Sequence, residues 1–290
     1  MRRFLAIAND KLALAAAAYI LLIVLIVLIG PAFIGPELLR SNLRARNLAP
    51  FQIEHGFWMF LGADALGRSI IARLMVGGST TLAIAASAVS IGVTISTTIG
   101  IIAGMSNAWW STLIMRIIDV MMSIPSLLLA MVILYTLGAN PVIMVSVLII
   151  GGIPDIARVA RGQTLEIRER PFVAASRVMG ASPVHLVFRH VAPNVIPTML
   201  PFVALGFAGT MLAESTLTFL GIGIQPPDIT WGLIIAEGRE YLRVAWWSSL
   251  WPGLLITTMA LSATIIGNWY QIEADPVLRS RHGKKAKTHA

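Results

Sequence analysis

The stretch from Leu12 to Gly30 reads LALAAAAYILLIVLIVLIG and carries no charged side chain. It lies in a window of 25 uncharged residues, 12 to 36, between Lys11 and Glu37. About 20 apolar residues at 1.5 Å each cross a bilayer as a helix, and a charge at mid-bilayer costs roughly 2.5 to 3.5 kcal/mol. The apolar core of a signal peptide is shorter, about 7 to 15 residues. The stretch therefore predicts a retained membrane-spanning helix.

Further uncharged windows follow along the chain, and the first of them begins after Arg73 and ends before Arg116. The window between Asp119 and Asp155 is too long for one span, and the turn residues from Gly138 to Pro141 divide it. We therefore predict an all-α membrane protein with six transmembrane helices, near residues 12–30, 81–104, 111–138, 141–157, 195–221 and 249–270.

The composition agrees with this fold class. Of 290 residues, 57% are hydrophobic and only 12% are charged, which excludes an ordinary soluble enzyme. The chain has no cysteine, so disulfides and thiolate metal sites are excluded. A net charge of +8 would suggest a nucleic-acid partner in a soluble protein. In a membrane protein it indicates topology, and we expect no nucleic acid.

The basic residues predict which side each loop faces. Fifteen of the 22 lie on the side of both termini and of the long loop at 158–193, which places that side in the cytoplasm. The first loop on the opposite side, near 35–80, does not fit this rule well. Its three acids are outnumbered by five arginines: Arg40, Arg44, Arg46, Arg68 and Arg73.

The sequence of the long loop predicts two short helices, each bounded by residues that begin or end helices. Pro171 can open the first helix and Gly180 can close it, whereas Ser182 and Pro183 can begin the second. Helical spacing puts one set of residues on a shared face: Phe172, Val173, Ser176, Met179 and Gly180. A short apolar-faced helix outside the bilayer needs a partner.

A wider pattern in this loop resembles a known family signature. Permease subunits of binding-protein-dependent ABC importers carry Glu-Ala-Ala, three residues, Gly, then nine residues to a hydrophobic-x-Leu-Pro end. The present chain keeps the spacing from Ala175 to Gly180 and Pro193. It departs from the signature at four positions, which are Ala174 for Glu, Ser176 for Ala, His190 for a hydrophobic residue and Ala192 for Leu.

Other segments are similar to the dipeptide and oligopeptide permeases of the "C" type, and the resemblance covers roughly residues 12–279. The matching segments are 61–68 (LGADALGR), 115–119 with 124–126, 214–221 with 225–227, 231–232, and Asp275-Pro276.

The resemblance implies a type I ABC importer permease fold with a cytoplasmic coupling helix, in a prokaryotic cytoplasmic membrane. It implies a homologous "B"-type permease as partner, with ATPase subunits below and an extracytoplasmic substrate-binding protein above. It also implies ATPase-coupling residues, which are Phe172, Ala174, Ala175, Ser176, Gly180 and Pro193. The expected cargo is dipeptides or oligopeptides, with a nickel or glutathione importer as the alternative and a secondary transporter as a more distant one.

We expect no catalysis, metal or cofactor in this chain itself. Gly283, Lys284 and Lys285 lack the first glycine and the Ser or Thr of a nucleotide-binding loop, so ATP and Mg²⁺ must be bound by another chain. We divide the sequence into an N-terminal segment (1–78), a permease domain (79–270) and a basic cytoplasmic tail (271–290).

Two acids within apolar spans are candidates for the translocation path or a subunit contact. Asp119 lies three residues after Arg116, so a local ion pair is the alternative reading. Glu214 has no charged neighbour within a turn, and its alternative is structural hydrogen bonding. The tryptophans near the sixth span are interpreted as an interfacial belt: Trp231, Trp246, Trp247 and Trp251.

Overall fold

The computed structural model describes residues 10–52 and 56–274, and all regular elements in this part of the chain are helical. The N-terminal arginines, the tail from 275 onward and the predicted Asp275-Pro276 match lie outside the described residues. The helices are α1 (Lys11–Ile29), α2 (Ile70–Met105), α3 (Ala108–Met122), α4 (Ser126–Leu137), α5 (Pro141–Arg168), α6 (Pro171–Val178), α7 (Pro183–Leu186), α8 (Ala192–Phe219), α9 (Trp231–Gly238) and α10 (Trp247–Ala274).

Within the described residues, five helical stretches are long and apolar enough to cross a membrane, and a bent pair makes a sixth candidate. The third predicted helix, near 111–138, is this bent pair rather than one continuous helix. Helices α3 and α4 meet at 77°, with a break from Ser123 to Pro125. Pro125 has no N–H to donate, and its ring disfavours helical backbone at the residue before it. The proline therefore ends α3 and begins a new helix.

Three other spans are longer than predicted. Helix α2 begins at Ile70 rather than near 81, and α5 continues to Arg168 rather than ending near 157. Helices α7 and α8 join through a π-helical turn at Val187–Val191 into one stretch from Pro183 to Phe219. The start of α2 was missed because Arg73 was treated as a boundary, although its side chain is buried and paired with acids. The predicted domain boundary at 78/79 lies inside α2 and stays a prediction.

The residues between α5 and α8 (169–191) lie at one end of the bundle, which we call the loop end. The opposite end, where α2 begins, is called the far end. There, residues 30–52 and 56–69 contain short 3₁₀ turns. The Trp247 indole N–H donates to the Ala63 carbonyl at 3.0 Å. The Trp231 indole donates to the Leu74 carbonyl at 2.8 Å. Both rings are buried, so the interpretation of these two tryptophans as interfacial was wrong.

Helices α2 and α5 pack closely through glycines on α2. A Cβ added at Gly100 would lie 2.5 Å from the Ala160 Cβ and 2.7 Å from the Ala157 carbonyl oxygen. A Cβ at Gly104 would lie 2.5 Å from the Thr164 side chain. Small residues of this kind allow transmembrane helices to approach. The α2–α5 contact therefore requires glycine at these two positions.

We expect Gly100→Val to lower the free energy of unfolding in detergent by about 1 to 3 kcal/mol, because the added methyl groups force the two helices apart. Gly209→Ala is the matched control, since a Cβ there meets nothing within 4 Å. Thermal unfolding of the two purified variants measures the difference. Equal midpoints would contradict the close packing.

Candidate functional site

Helix α6 is a short surface helix at the loop end. Pro171 is its first residue, as predicted, and Gly180 follows it with a φ of +85°, a left-handed conformation that favours glycine. The Ser182 hydroxyl accepts from the His185 backbone N–H at 3.3 Å and so caps α7. The predicted starts of both short helices and the turn between them are confirmed.

The apolar residues of α6 do not all face the same way. Val173 and Ser176 are buried against the bundle, whereas Val178 and Met179 are 88% and 82% exposed. Phe172 is partly exposed at 42%. The prediction of one shared face was therefore too simple, because one side of the helix anchors it and the other side is free. The free side presents large apolar side chains at the surface of this chain.

Two departures from the importer signature contact each other. The His190 Nε2 lies 3.1 Å from the Ser176 Oγ, within hydrogen-bond distance. The Phe172 and His190 rings pack with their centroids 5.9 Å apart. A polar pair therefore replaces the apolar contact that Ala and a hydrophobic residue would make. This hydrogen bond fixes α6 against the turn that leads into α8.

Pro193 lies in the first turn of α8, immediately after the π-helical turn. A proline there cannot donate a backbone hydrogen bond to the Arg189 carbonyl, which favours an extra residue in the turn. Ala174 and Ala175 lie on the surface of α6. The structure thus brings Phe172 and Ser176 close to the π-helical turn that precedes Pro193. It leaves Ala174 and Ala175 exposed.

Asp119 does not form its main contact with Arg116. Its Oδ1 lies 2.7 Å from the Arg158 Nη2 on α5, and both side chains are about half exposed, at 49% and 52%. The spacing along one helix predicted the wrong partner because Arg158 comes from a neighbouring span. The acid joins α3 to α5 at the surface of this chain.

Glu214 is fully buried in α8, at 0% exposure. Its carboxylate accepts from the Ser215 hydroxyl at 3.2 Å and from the Thr218 hydroxyl at 3.0 Å, and the Thr230 hydroxyl also bonds to it. The same hydroxyls hold the next turns, since Thr218 Oγ1 accepts from the Ile224 N–H and Thr230 Oγ1 from the Leu233 N–H. Glu214 therefore organises the connection between α8 and α9.

A cluster of ion pairs lies at the far end, and the sequence analysis did not predict it. Arg73 Nη1 lies 2.8 Å from Asp64 and 2.6 Å from Glu237, and Arg68 contacts the same two acids at 2.6 and 2.8 Å. The side chain of Arg73 is 1% exposed and that of Asp64 is 7%. This cluster neutralises two of the five arginines that conflicted with the predicted topology. The segment 61–68 was the available signal, but no role had been assigned to it.

The fold defines a class of protein, a multi-pass helical membrane protein with a short surface helix at the loop end. Residues 96–276 match the family described as "Binding-protein-dependent transport system inner membrane component". The chain belongs to this family of transport permeases, and it is a multi-pass membrane protein.

Individual relatives extend the match over most of the chain. A putative peptide transport system permease protein of Brucella suis is 35% identical over 90% of this chain and 86% of its own. A di/tripeptide transport system permease protein of Pseudomonas aeruginosa is 34% identical over 94% and 90%. A glutathione transport system permease protein of Pectobacterium atrosepticum is 33% identical over 76% and 73%.

Solved structures confirm the type of fold. A chain of the MetNI methionine ABC transporter in an inward-facing conformation aligns with a TM-score of 0.54 at 20% identity, over 68% of this chain and 95% of the other. A chain of an amino acid ABC transporter aligns with a TM-score of 0.52 at 18% identity, over 70% and 93%. Both are ABC transporters, and at this identity the likeness shows the fold alone.

Proposed function

We propose that this chain is one of two permease subunits of an ATP-driven importer of short peptides. The observation that carries the proposal is helix α6, which is anchored on one side through Val173 and Ser176 and exposes Val178 and Met179 on the other. Large apolar side chains left exposed on a short surface helix mark a protein contact. Family membership supports an ATPase subunit as the partner.

In the proposed mechanism, ATPase closure moves the permease through α6. The Ser176–His190 hydrogen bond links α6 to the turn that leads into α8, so a force on the docking helix reaches a spanning helix directly. ATP and Mg²⁺ are bound by the ATPase subunits, and this chain carries out no hydrolysis. A homologous permease completes the path, and a binding protein delivers the peptide. The two gate states differ in their contacts, which lets ATP binding shift their populations.

The cargo assignment rests on the relatives whose names include peptide or di/tripeptide transport. Glutathione is the second candidate, because one relative is a glutathione permease and glutathione is itself a small peptide. Uptake of labelled dipeptide and labelled glutathione by cells with and without the gene separates the two. A secondary transporter would take up its substrate without ATPase subunits.

We also propose the topology that the charges predict, with the loop end and both termini in the cytoplasm. Arg158, Arg161 and Arg168 lie on the C-terminal part of α5, and Arg170, Arg177 and Arg189 lie in the loop end that follows it. Two of the five arginines at the far end, Arg68 and Arg73, are neutralised by Asp64 and Glu237. Protease access to the loop only from the cytoplasmic side is the expected result, and access only from outside would overturn it.

Glu214 and Asp119 are proposed to act on structure rather than on cargo. Glu214 is buried among hydroxyl groups, and Asp119 pairs with Arg158 between two helices of this chain. We expect Glu214→Ala to lower the amount of assembled permease, because three hydroxyl groups lose their acceptor. Each buried hydroxyl left without a partner costs about 1 to 3 kcal/mol. Size-exclusion chromatography measures assembly. Normal assembly with lost transport would instead place Glu214 on the path.

We expect Met179→Asp to reduce transport and coupled ATP hydrolysis by about tenfold or more, since burying an unpaired charge at the docking contact costs at least about 1.4 kcal/mol. The permease itself should fold normally, because Met179 is 82% exposed. Leu43→Asp is the control, because Leu43 is 70% exposed in a 3₁₀ turn of the far end, outside the spanning helices and away from α6. ATPase activity of the reconstituted complex, with and without peptide-loaded binding protein, measures the coupling. Unchanged coupling would contradict docking through α6.

A further inference from the structure

A cleft with apolar and charged side chains in its wall lies at the far end, beside the ion-pair cluster. Its volume is about 400 Å³, and its wall is formed by the loop before α2, the start of α2, the end of α8, and the segment from α9 to the start of α10. Small-ligand sites span about 300 to 1,000 Å³, so the cleft can hold a molecule of dipeptide size. The cleft is separate from α6, which lies at the loop end on the opposite side of the bundle.

Unpartnered polar atoms concentrate on this wall. Six buried side-chain nitrogen or oxygen atoms among the described residues have no hydrogen-bond partner, and three of them belong to the cleft wall. They are the Arg73 Nε, the Arg73 Nη2 and the Ser248 Oγ, on side chains of residues that are 1% and 3% exposed. A buried donor without an acceptor is costly, about 1 to 3 kcal/mol. Two residues that line the same cleft thus carry buried donors without acceptors.

The charge of the wall restricts which acceptor fits. Three carboxylates, Asp64, Glu237 and Glu240, face two guanidinium groups, Arg68 and Arg73, which leaves a net charge of −1. Arg73 already contacts Asp64 and Glu237 through its Nη1. A ligand carboxylate would therefore meet repulsion, whereas a neutral carbonyl oxygen would satisfy the free N–H and O–H groups without it. The acceptor that the wall favours is a peptide or amide carbonyl.

The remaining negative charge provides a place for a cation. Glu240 is exposed on the cleft wall and takes part in none of the ion pairs found among the described residues. The amino-terminal unit of a peptide carries a positive amine one carbon away from a neutral carbonyl. We propose that this cleft binds the amino-terminal aminoacyl unit of a short peptide, with the amine toward Glu240 and the first carbonyl toward Arg73 and Ser248.

The inference rests on the proposed function, since it assigns a substrate contact to the far end of a peptide permease. It defines a recognition rule that depends on the amino terminus of the peptide and not on its carboxylate. The cleft lies where a peptide released by an extracytoplasmic binding protein would first meet this subunit.

The test is binding of Ala-Ala to the permease–ATPase complex in lipid nanodiscs without binding protein, measured by calorimetry. Relative to Ala-Ala, N-acetyl-Ala-Ala should bind about tenfold more weakly or worse, because it lacks the charged amine. Ala-Ala amide should bind as well as Ala-Ala. Absence of saturable Ala-Ala binding up to about 10 mM, or weaker binding of the amide than of the acetylated peptide, would overturn the proposal.

Variants locate the site. Ser248→Ala and Glu240→Gln should each weaken Ala-Ala binding about three- to tenfold, since each removes one hydrogen-bonding or charged group. Neither change removes a hydrogen bond seen within the described chain, so folding should be retained. Ser249→Ala is the matched control, because Ser249 donates to the Ile235 carbonyl and is not part of the cleft wall. Equal affinity of all four proteins would overturn the site.

The same preparation keeps the two proposals apart. A complex that contains the ATPase and the second permease but does not bind Ala-Ala would refute the cleft and leave the importer standing. If no ATPase subunit assembles with this chain in its host, and the chain still binds Ala-Ala saturably, the importer is refuted and the cleft stands.

Discussion

Gly180→Asp is expected to abolish the stimulation of ATP hydrolysis by the loaded binding protein while the permease still inserts and assembles. Gly180 has a φ of +85°, and a Cβ there meets nothing within 4 Å, so the change strains the backbone without a clash inside this chain. A non-glycine residue in this conformation costs about 1 to 3 kcal/mol. The strain falls on the turn between α6 and α7, and the new charge lies beside the exposed docking side chains. Stimulated and basal ATPase rates of the reconstituted complex are the measurement.

Gly138→Asp provides a close control for this experiment. Gly138 has a φ of +81°, and a Cβ there also meets nothing within 4 Å, but it lies between α4 and α5 and away from α6. The backbone strain should be at least as large in Gly138→Asp, because Gly138 has a ψ of 143° and lies outside the left-handed helical region. Only Gly180→Asp should uncouple hydrolysis, whereas equal loss in both variants would show that strain alone is responsible and would remove the docking argument.

Asp64→Ala should cause the largest loss of stability among single substitutions at the far end. It leaves Arg73 buried with one acid instead of two, and it removes the acceptor for the backbone N–H groups of Leu66 and Arg68, both at 2.9 Å. Removing one partner of a buried ion pair costs about 3 to 5 kcal/mol. We expect a large fall in the amount of permease extracted from membranes and in its unfolding temperature.

The control for Asp64 is Asp119→Ala, which also removes an aspartate from an ion pair with arginine. The Asp119–Arg158 pair is about half exposed, and such pairs contribute about 0 to 1 kcal/mol. Fluorescence-detected thermal unfolding of both variants gives the comparison. Similar shifts for the two would contradict the conclusion that the Asp64 cluster stabilises the fold through burial.

Much of the fold could be predicted from uncharged windows, because the bilayer excludes charge and forces helices. The same reasoning failed where a charge is buried with its partners. Arg73 was taken as the limit of a span, yet it lies within α2, because Asp64 and Glu237 supply the opposite charges from distant parts of the chain. Pairing over such sequence separations is set by tertiary packing, which a single sequence does not display.

The helix limits in the loop between α5 and α8 could be predicted for a different reason. Its helix limits depend on local chemistry, namely proline at the start of α6, glycine with positive φ at its end and serine at the cap of α7. Local signals of this kind do not require knowledge of neighbours. The hydrogen bond between Ser176 and His190 was not predictable, because the two residues meet only when α6 folds back on the next turn.

Site-specific crosslinking from α6 tests the central claim most directly. The chain has no cysteine, so Met179→Cys introduces its only thiol at an exposed position. No native cysteine has to be replaced first. A tagged copy in its native host is labelled with a thiol-directed photocrosslinker, and the product is identified by mass spectrometry, with Gly138→Cys as the control. Docking through α6 predicts a crosslink from position 179, and not from 138, to a chain that carries a Walker nucleotide-binding motif. Crosslinks from position 179 only to other copies of this chain, or only to lipid, would contradict it.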